Sequence, residues 1–151
     1  MLVKLRPDQV AEQWEFIWRA IEGALPPMVE NKEEIKTNTL RSILIQELEV
    51  WVYITYGEET DYIHAVITTM IQGEPVFGNR DFLIYTMYGI GPATDEMWHK
   101  GFITLLKYAK GLGCDKISAY TKNQRVKSFL HKLGAESYTY MTLKLPKGGD
   151  K

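Results

Sequence analysis

One cysteine, Cys114, is all the thiol this chain of 151 residues carries. A lone cysteine excludes an internal disulfide and any cysteine zinc cluster, and it fits a reducing, cytoplasmic setting. Histidine is nearly as scarce, at three residues. No histidine–carboxylate cluster has the spacing of a metal site, and no Ser-His-Asp pattern can be assembled. Excess charge is also missing. The net charge of −1 gives no global field that would favour nucleic acid or an anionic membrane. No apolar run is long enough to cross a bilayer. The opening Met1–Asp8 lacks the apolar core of a signal peptide. Repeats and low-complexity runs are absent as well.

What remains is an ordinary globular composition, 45% hydrophobic and 25% charged. The length suits one domain that buries roughly 70% of its unfolded surface. We expect that domain over residues 1–145, with 146–151 as a frayed tail. Leu2 to Arg6 alternates like a short strand. Pro7 and Asp8 open a helix whose face carries Val10, Trp14, Ile17, Trp18 and Ile21, and Gly23 with Pro26-Pro27 ends it. Asn31 and Glu34 form a capping box for a second helix bearing Ile35, Leu40, Ile43, Leu44 and Leu48. Three β-branched and aromatic strands follow: Val50–Tyr56, Tyr62–Ile71 and Phe82–Tyr88. Thr94 caps a third helix with Trp98, Phe102, Leu105, Leu106 and Ala109 inward, stopped by Gly111 and Gly113. Lys116–Thr121 is a strand. Asn123–Leu133 is a fourth helix, with Val126, Phe129, Leu130 and Leu133 inward, and Glu136–Leu145 is a last strand. The order β-α-α-β-β-β-α-β-α-β predicts an α/β fold, a mixed sheet with helices on both faces.

The string Ile117-Ser118-Ala119-Tyr120-Thr121-Lys122-Asn123, its helix, and the stop at Leu133-Gly134 resemble the second half of the GNAT N-acyltransferase family. The same holds for Leu5-Arg6-Pro7 before an amphipathic helix and for Leu105–Gly113 before a strand. The resemblance spans about Val3 to Leu145. It implies a cleft where the fourth and fifth strands splay apart. In the family the pantetheine arm of acetyl-CoA pairs there with fourth-strand backbone, and the pyrophosphate lies on a glycine-rich loop at the third helix. By that pattern Met87, Tyr88 and Gly89 hold the arm and serve the oxyanion. Asn123 matches the family's asparagine, and equally reads as a helix N-cap. The acyl acceptor would be a small-molecule amine, or a protein N-terminus or lysine. A second copy of the chain is a further candidate partner.

The match fails in two places. The pyrophosphate loop falls on Ala93-Thr94-Asp95-Glu96-Met97-Trp98, with carboxylates and a bulky indole where the family has glycines. Gly89-Ile90-Gly91 is the alternative loop; it would lengthen the third helix by roughly two turns. The family's tyrosine general acid falls on Leu130, with His131 about 100° away around the helix. Two other residues are candidates for catalysis. His64 could act as a base because its ordinary pKa lies near neutrality, or be a solvent-face strand residue. Tyr85 flanks the cleft with Tyr88 and Tyr120. Two functions stand side by side: an acyl-CoA-dependent N-acyltransferase with a degenerate loop, and a non-catalytic binding or structural module, such as bacteriophages encode.

Overall fold

The computed structural model describes residues 1–26, 28–30 and 33–146. The fold is a five-stranded mixed sheet flanked by helices, and the chain divides into two compact units, Met1–Tyr120 and Thr121–Lys151. In the first unit the elements run β1 (Leu2–Lys4), α1 (Pro7–Glu12), α2 (Trp14–Gly23), α3 (Glu33–Leu44), β2 (Glu49–Tyr56), β3 (Asp61–Glu74), β4 (Asn79–Gly89), α4 (Asp95–Gly111) and β5 (Lys116–Ala119). The second unit carries α5 (Gln124–Lys132). The strands lie in chain order, antiparallel from β1 to β4 and parallel between β4 and β5. A parallel neighbour needs a crossover, and α4 supplies it.

Period-two alternation sorts the sheet's side chains onto two cores. Val50, Val52 and Val66 meet Val10 of α1, Ile17, Trp18 and Ile21 of α2, and Ile43 of α3. Trp51, Tyr53, Ile67, Phe82 and Ile84 meet Leu105 and Ala109 of α4. On α4 the buried positions are Gly101, Leu105 and Ala109, an i, i+4 stripe. Leu106, expected inward, lies one residue off that stripe and is exposed. α4 ends as its glycine demands. Gly113 takes a φ of 73°, and Cys114 N–H returns to Ala109 O at 3.0 Å.

The structure corrects the sequence reading elsewhere too. The expected first helix is two helices, broken at Gln13, whose N–H is shared between the carbonyls of Gln9 and Val10. There are accordingly five helices among the described residues. The expected last strand, Glu136–Leu145, does not form; those residues are irregular and exposed. Their alternation fits a pleated, half-buried surface, but strand propensity needs a paired neighbour to be realised. On α5 only Val126 is buried, Phe129 and Leu130 are half-buried, and Leu133 is 45% exposed. The Asn31 cap lies outside the described residues.

Candidate functional site

The candidate site is the place where the pairing of β4 with β5 ends, within the first unit. The two strands pair from Asp81↔Lys116 to Ile84↔Ala119, while β4 runs on to Gly89. Their closed end is stitched by side chains. Ser118 Oγ donates to both carboxylate oxygens of Asp81, each at 2.7 Å. Asp115 Oδ2 accepts from Arg80 N–H at 2.8 Å, and Asp115 N–H donates to Arg80 O at 2.8 Å. The Arg80 guanidinium reaches Leu112 O at the end of α4, at 2.7 Å.

Just past the last parallel pair the ladder with β3 slips. Thr69 faces Ile84 but Thr68 faces Thr86, so Tyr85 is an extra residue, a β-bulge. A bulge bends its strand and increases local twist, and this one sits where the pairing of β4 with β5 ends. The backbone orientation there follows from one bond. Ile90 N–H donates to His64 O at 2.8 Å, so this facing pair is hydrogen-bonded. Antiparallel pairs alternate. Counting back along the register, Tyr88 and Thr86 bond to β3, while Met87 and Gly89 turn their N–H and C=O groups away from it, toward the edge on which β5 pairs farther back.

Two tyrosines of β4, Tyr85 and Tyr88, flank this stretch. Tyr85 is half-buried against the α1/α2 core. Burial, and secondarily the nearby Tyr120 phenol, pushes its pKa above the usual tyrosine value, so it stays a proton donor at neutral pH. Tyr88 lays its ring against Gly23 at the end of α2, so closely that a Cβ at Gly23 would overlap it.

His64 is also at a bulge: Tyr53 faces Ala65 and Ile54 faces Ile63, leaving His64 unmatched on β3. Its Nε2 is 2.7 Å from Thr55 Oγ1 and its Nδ1 is 3.2 Å from Pro92 O. Both ring nitrogens are therefore engaged, and no lone pair is left for a substrate amine without breaking a bond. Its carbonyl accepts from Ile90 N–H and, at 3.4 Å, from Gly91 N–H. That accounts for the Gly89-Ile90-Gly91 loop. Two of its amides face β3, and α4 begins at Asp95, so the longer helix does not form.

The N-terminus of α4 is closed by its own residues. Thr94 Oγ1 accepts from Met97 N–H at 3.2 Å. Asp95 and Glu96 occupy the first turn, and Glu96 pairs with Lys100 at 2.9 Å. That hydrogen bond with Lys100 holds the Glu96 carboxyl below its usual range. Trp98 is half-buried on the same turn. A helix end that carries its own anions offers little to a pyrophosphate. In the second unit, Asn123 caps α5 and accepts from Arg125 and Val126 N–H at 2.9 and 3.3 Å. His131 bonds Ala135 O and Ser137 Oγ.

Sequence reasoning missed Thr55, Gly23 and the Asp81–Ser118 stitch. Each acts through a neighbour distant in sequence, so no local pattern marks it. No group of three or more His, Cys, Asp or Glu side chains among the described residues is arranged to hold a metal ion. No described helix is long and apolar enough to cross a membrane.

No protein-family model matches the chain, and no curated protein does. Solved structures do. A probable acetyltransferase superposes with a TM-score of 0.68 at 11% identity, over 99% of both chains. Ribosomal-protein-alanine N-acetyltransferase from Brucella melitensis biovar Abortus 2308 gives 0.66 at 11% identity, over 97% of this chain and 98% of that one. A predicted acetyltransferase from Clostridium acetobutylicum, solved with acetyl-CoA, gives 0.64 at 18% identity, over 97% and 95%. Likeness at this identity speaks for fold: the chain has the GNAT acetyltransferase fold.

Proposed function

We propose that this protein is a divergent N-acyltransferase that accepts acetyl-CoA weakly and transfers its acyl group to an amine. The observation that carries the reading is the Tyr85 bulge. It lies where the β4–β5 ladder ends, beyond which Met87 and Gly89 turn their backbone groups away from β3, and an amide-bearing arm would need such free groups for strand-like pairing. The Clostridium acetobutylicum neighbour was solved with acetyl-CoA, which supports the choice of donor. The Brucella neighbour is named for transfer to a protein alanine, which keeps a protein N-terminus among the acceptors beside a small amine.

Acetyl-CoA brings the thioester. The chain's own groups do the remaining work. Outward N–H groups of β4 would face the position where carbonyl charge develops, and preorganised donors stabilise such charge. Tyr85, kept protonated by burial, would supply the proton to the departing thiolate and regain one from water. The ammonium formed at the acceptor loses its proton to water. The pyrophosphate end does not fit: Asp95, Glu96 and the capped first turn oppose it, and no step relies on it.

The same acidic helix end favours a second reading, a non-catalytic module on this fold. Calorimetric titration with acetyl-CoA separates the two. The enzyme reading expects a Kd on the order of 100 µM, about −5.5 kcal/mol. Absence of binding at millimolar ligand leaves the non-catalytic module, and submicromolar binding refutes the weak-anion argument.

A further inference from the structure

We infer that His64 is a positioning residue: its imidazole and its carbonyl together clamp the segment from Ile90 to Pro92, fixing both the open limb of β4 and the start of α4. The inference rests on the proposed acyl-CoA reading only for its functional consequence. The clamp itself stands on hydrogen-bond accounting.

A carbonyl oxygen only accepts, so the Nδ1 facing Pro92 O carries the proton. In the neutral ring Nε2 is then the acceptor, and Thr55 must be the donor across 2.7 Å. Thr55 thus fixes the tautomer that holds the loop. The backbone repeats the hold, since His64 O takes the N–H of Ile90 at 2.8 Å and of Gly91 at 3.4 Å. Three bonds from one residue secure three consecutive loop residues. The bulge at His64 frees it from the β2 ladder for this purpose.

The clamp extends to α4 through Tyr53. The Tyr53 ring meets the His64 ring edge-on at 6.3 Å. It also lies under Gly101 of α4, where a Cβ would sit 3.5 Å from it. His64 therefore joins β3, the β4–α4 loop and, by way of Tyr53, the second turn of α4. Gly89, whose N–H faces away from β3, is the residue just before the clamped segment. Releasing the clamp would let that amide wander while leaving the two cores in place.

The tests separate clamp from base. Heteronuclear NMR of the imidazole nitrogens in the unmodified protein should show the neutral ring protonated on Nδ1, and amide exchange should show Ile90 protected. Protonation on Nε2, or unprotected Ile90, overturns the clamp whether or not coenzyme A binds. His64→Asn keeps an N–H where Nδ1–H stood, so its acetyl-CoA affinity should stay within about twofold, whereas His64→Ala should weaken it about tenfold, the worth of roughly one hydrogen bond. The pH profile of acyl transfer should keep its shape in His64→Asn. Loss of one limb of that profile would make His64 the base and refute the inference. Equal affinity in His64→Ala would refute it too. If the unmodified protein binds no acetyl-CoA, the proposed function falls, and the NMR and exchange results still decide the clamp.

Discussion

Proline at position 89 and proline at position 90 differ by one residue and should differ sharply in effect. Proline removes a backbone N–H and fixes φ near −65°. By the alternation of the ladder, Gly89 N–H faces away from β3, and a Cβ at Gly89 meets nothing within 4 Å. Gly89 also avoids the left-handed backbone that would bar proline. Tyr88 before it is already in a strand, the conformation a residue preceding proline prefers. Gly89→Pro should therefore leave stability within about 1 kcal/mol of the parent. Ile90 N–H instead makes the 2.8 Å bond to His64 O. Ile90→Pro removes that bond, worth about 1 kcal/mol, and leaves His64 O with only the long Gly91 contact, so a loss of about 2 kcal/mol is expected. Urea denaturation with unchanged m-values measures both. Acetyl-CoA affinity should nevertheless fall about tenfold in Gly89→Pro, which deletes an outward donor. Equal destabilisation by the two prolines would mean that Gly89 N–H belongs to the ladder, and the account of the open limb would be wrong.

Four further outcomes follow from the same geometry. Phe82→Ala should cost about 3–5 kcal/mol by chemical denaturation, because the ring is fully buried and meets Tyr108 edge-on at 5.8 Å; a loss under about 1.5 kcal/mol would contradict the packing at the closed end. Tyr85→Phe should slow acyl transfer with little change in acetyl-CoA affinity. It should also flatten the alkaline decline in stability: the raised Tyr85 pKa means its contribution is complete below about pH 10 and is lost as pH rises through the folded value. An unchanged alkaline slope would count against a buried phenol. Acetyl-pantetheine, which lacks the diphosphate, should bind within about threefold of acetyl-CoA, and a hundredfold preference for the complete coenzyme would reveal a working phosphate site. The pair Asp95→Asn with Glu96→Gln should tighten acetyl-CoA and leave acetyl-pantetheine unchanged, as judged by calorimetry; tightening of both would point to a conformational effect instead.

Much of the fold was legible because its signals are local. The β-branched and aromatic runs gave β2, β3 and β4, the Thr94 cap and Gly113 stop gave α4, and the strand–helix–strand order gave the parallel pair. What escaped depends on distant partners. The bulges at His64 and Tyr85 have no marker: neither is flanked by glycine, and each exists only through register with another strand. The last strand failed for the opposite reason. Glu136–Leu145 has the right alternation, and alternation alone does not provide the hydrogen-bonded neighbour that a strand requires. For the site, the sequence pointed to Met87 and Gly89 through family likeness, but only the Ile90–His64 bond says which amides face away from β3. It offered His64 either as a base, because histidine ordinarily titrates near neutrality, or as a solvent-face strand residue, and the structure adds that both its ring nitrogens are hydrogen-bonded.

On the acyl-transfer proposal, the two ends of the cleft would depend on the sequence in different ways. The arm-binding end is made of backbone. Its amides are aimed by a register and a bulge, so side chains along β4 can change while the outward N–H groups persist, provided the sheet holds. The stitch at Arg80, Asp81, Asp115 and Ser118 and the clamp at His64 hold it from both sides. The phosphate end depends on what is absent: it needs glycines, which admit the anion, and a helix terminus without competing charge. Each of those is erased by a single substitution that costs the fold nothing, and Asp95 and Glu96 even stabilise α4 by complementing its dipole. Drift away from coenzyme A should therefore strike the phosphate end first and spare the arm site. A chain in that condition keeps the fold, keeps a cleft able to pair with an extended amide, and loses affinity mainly for the diphosphate.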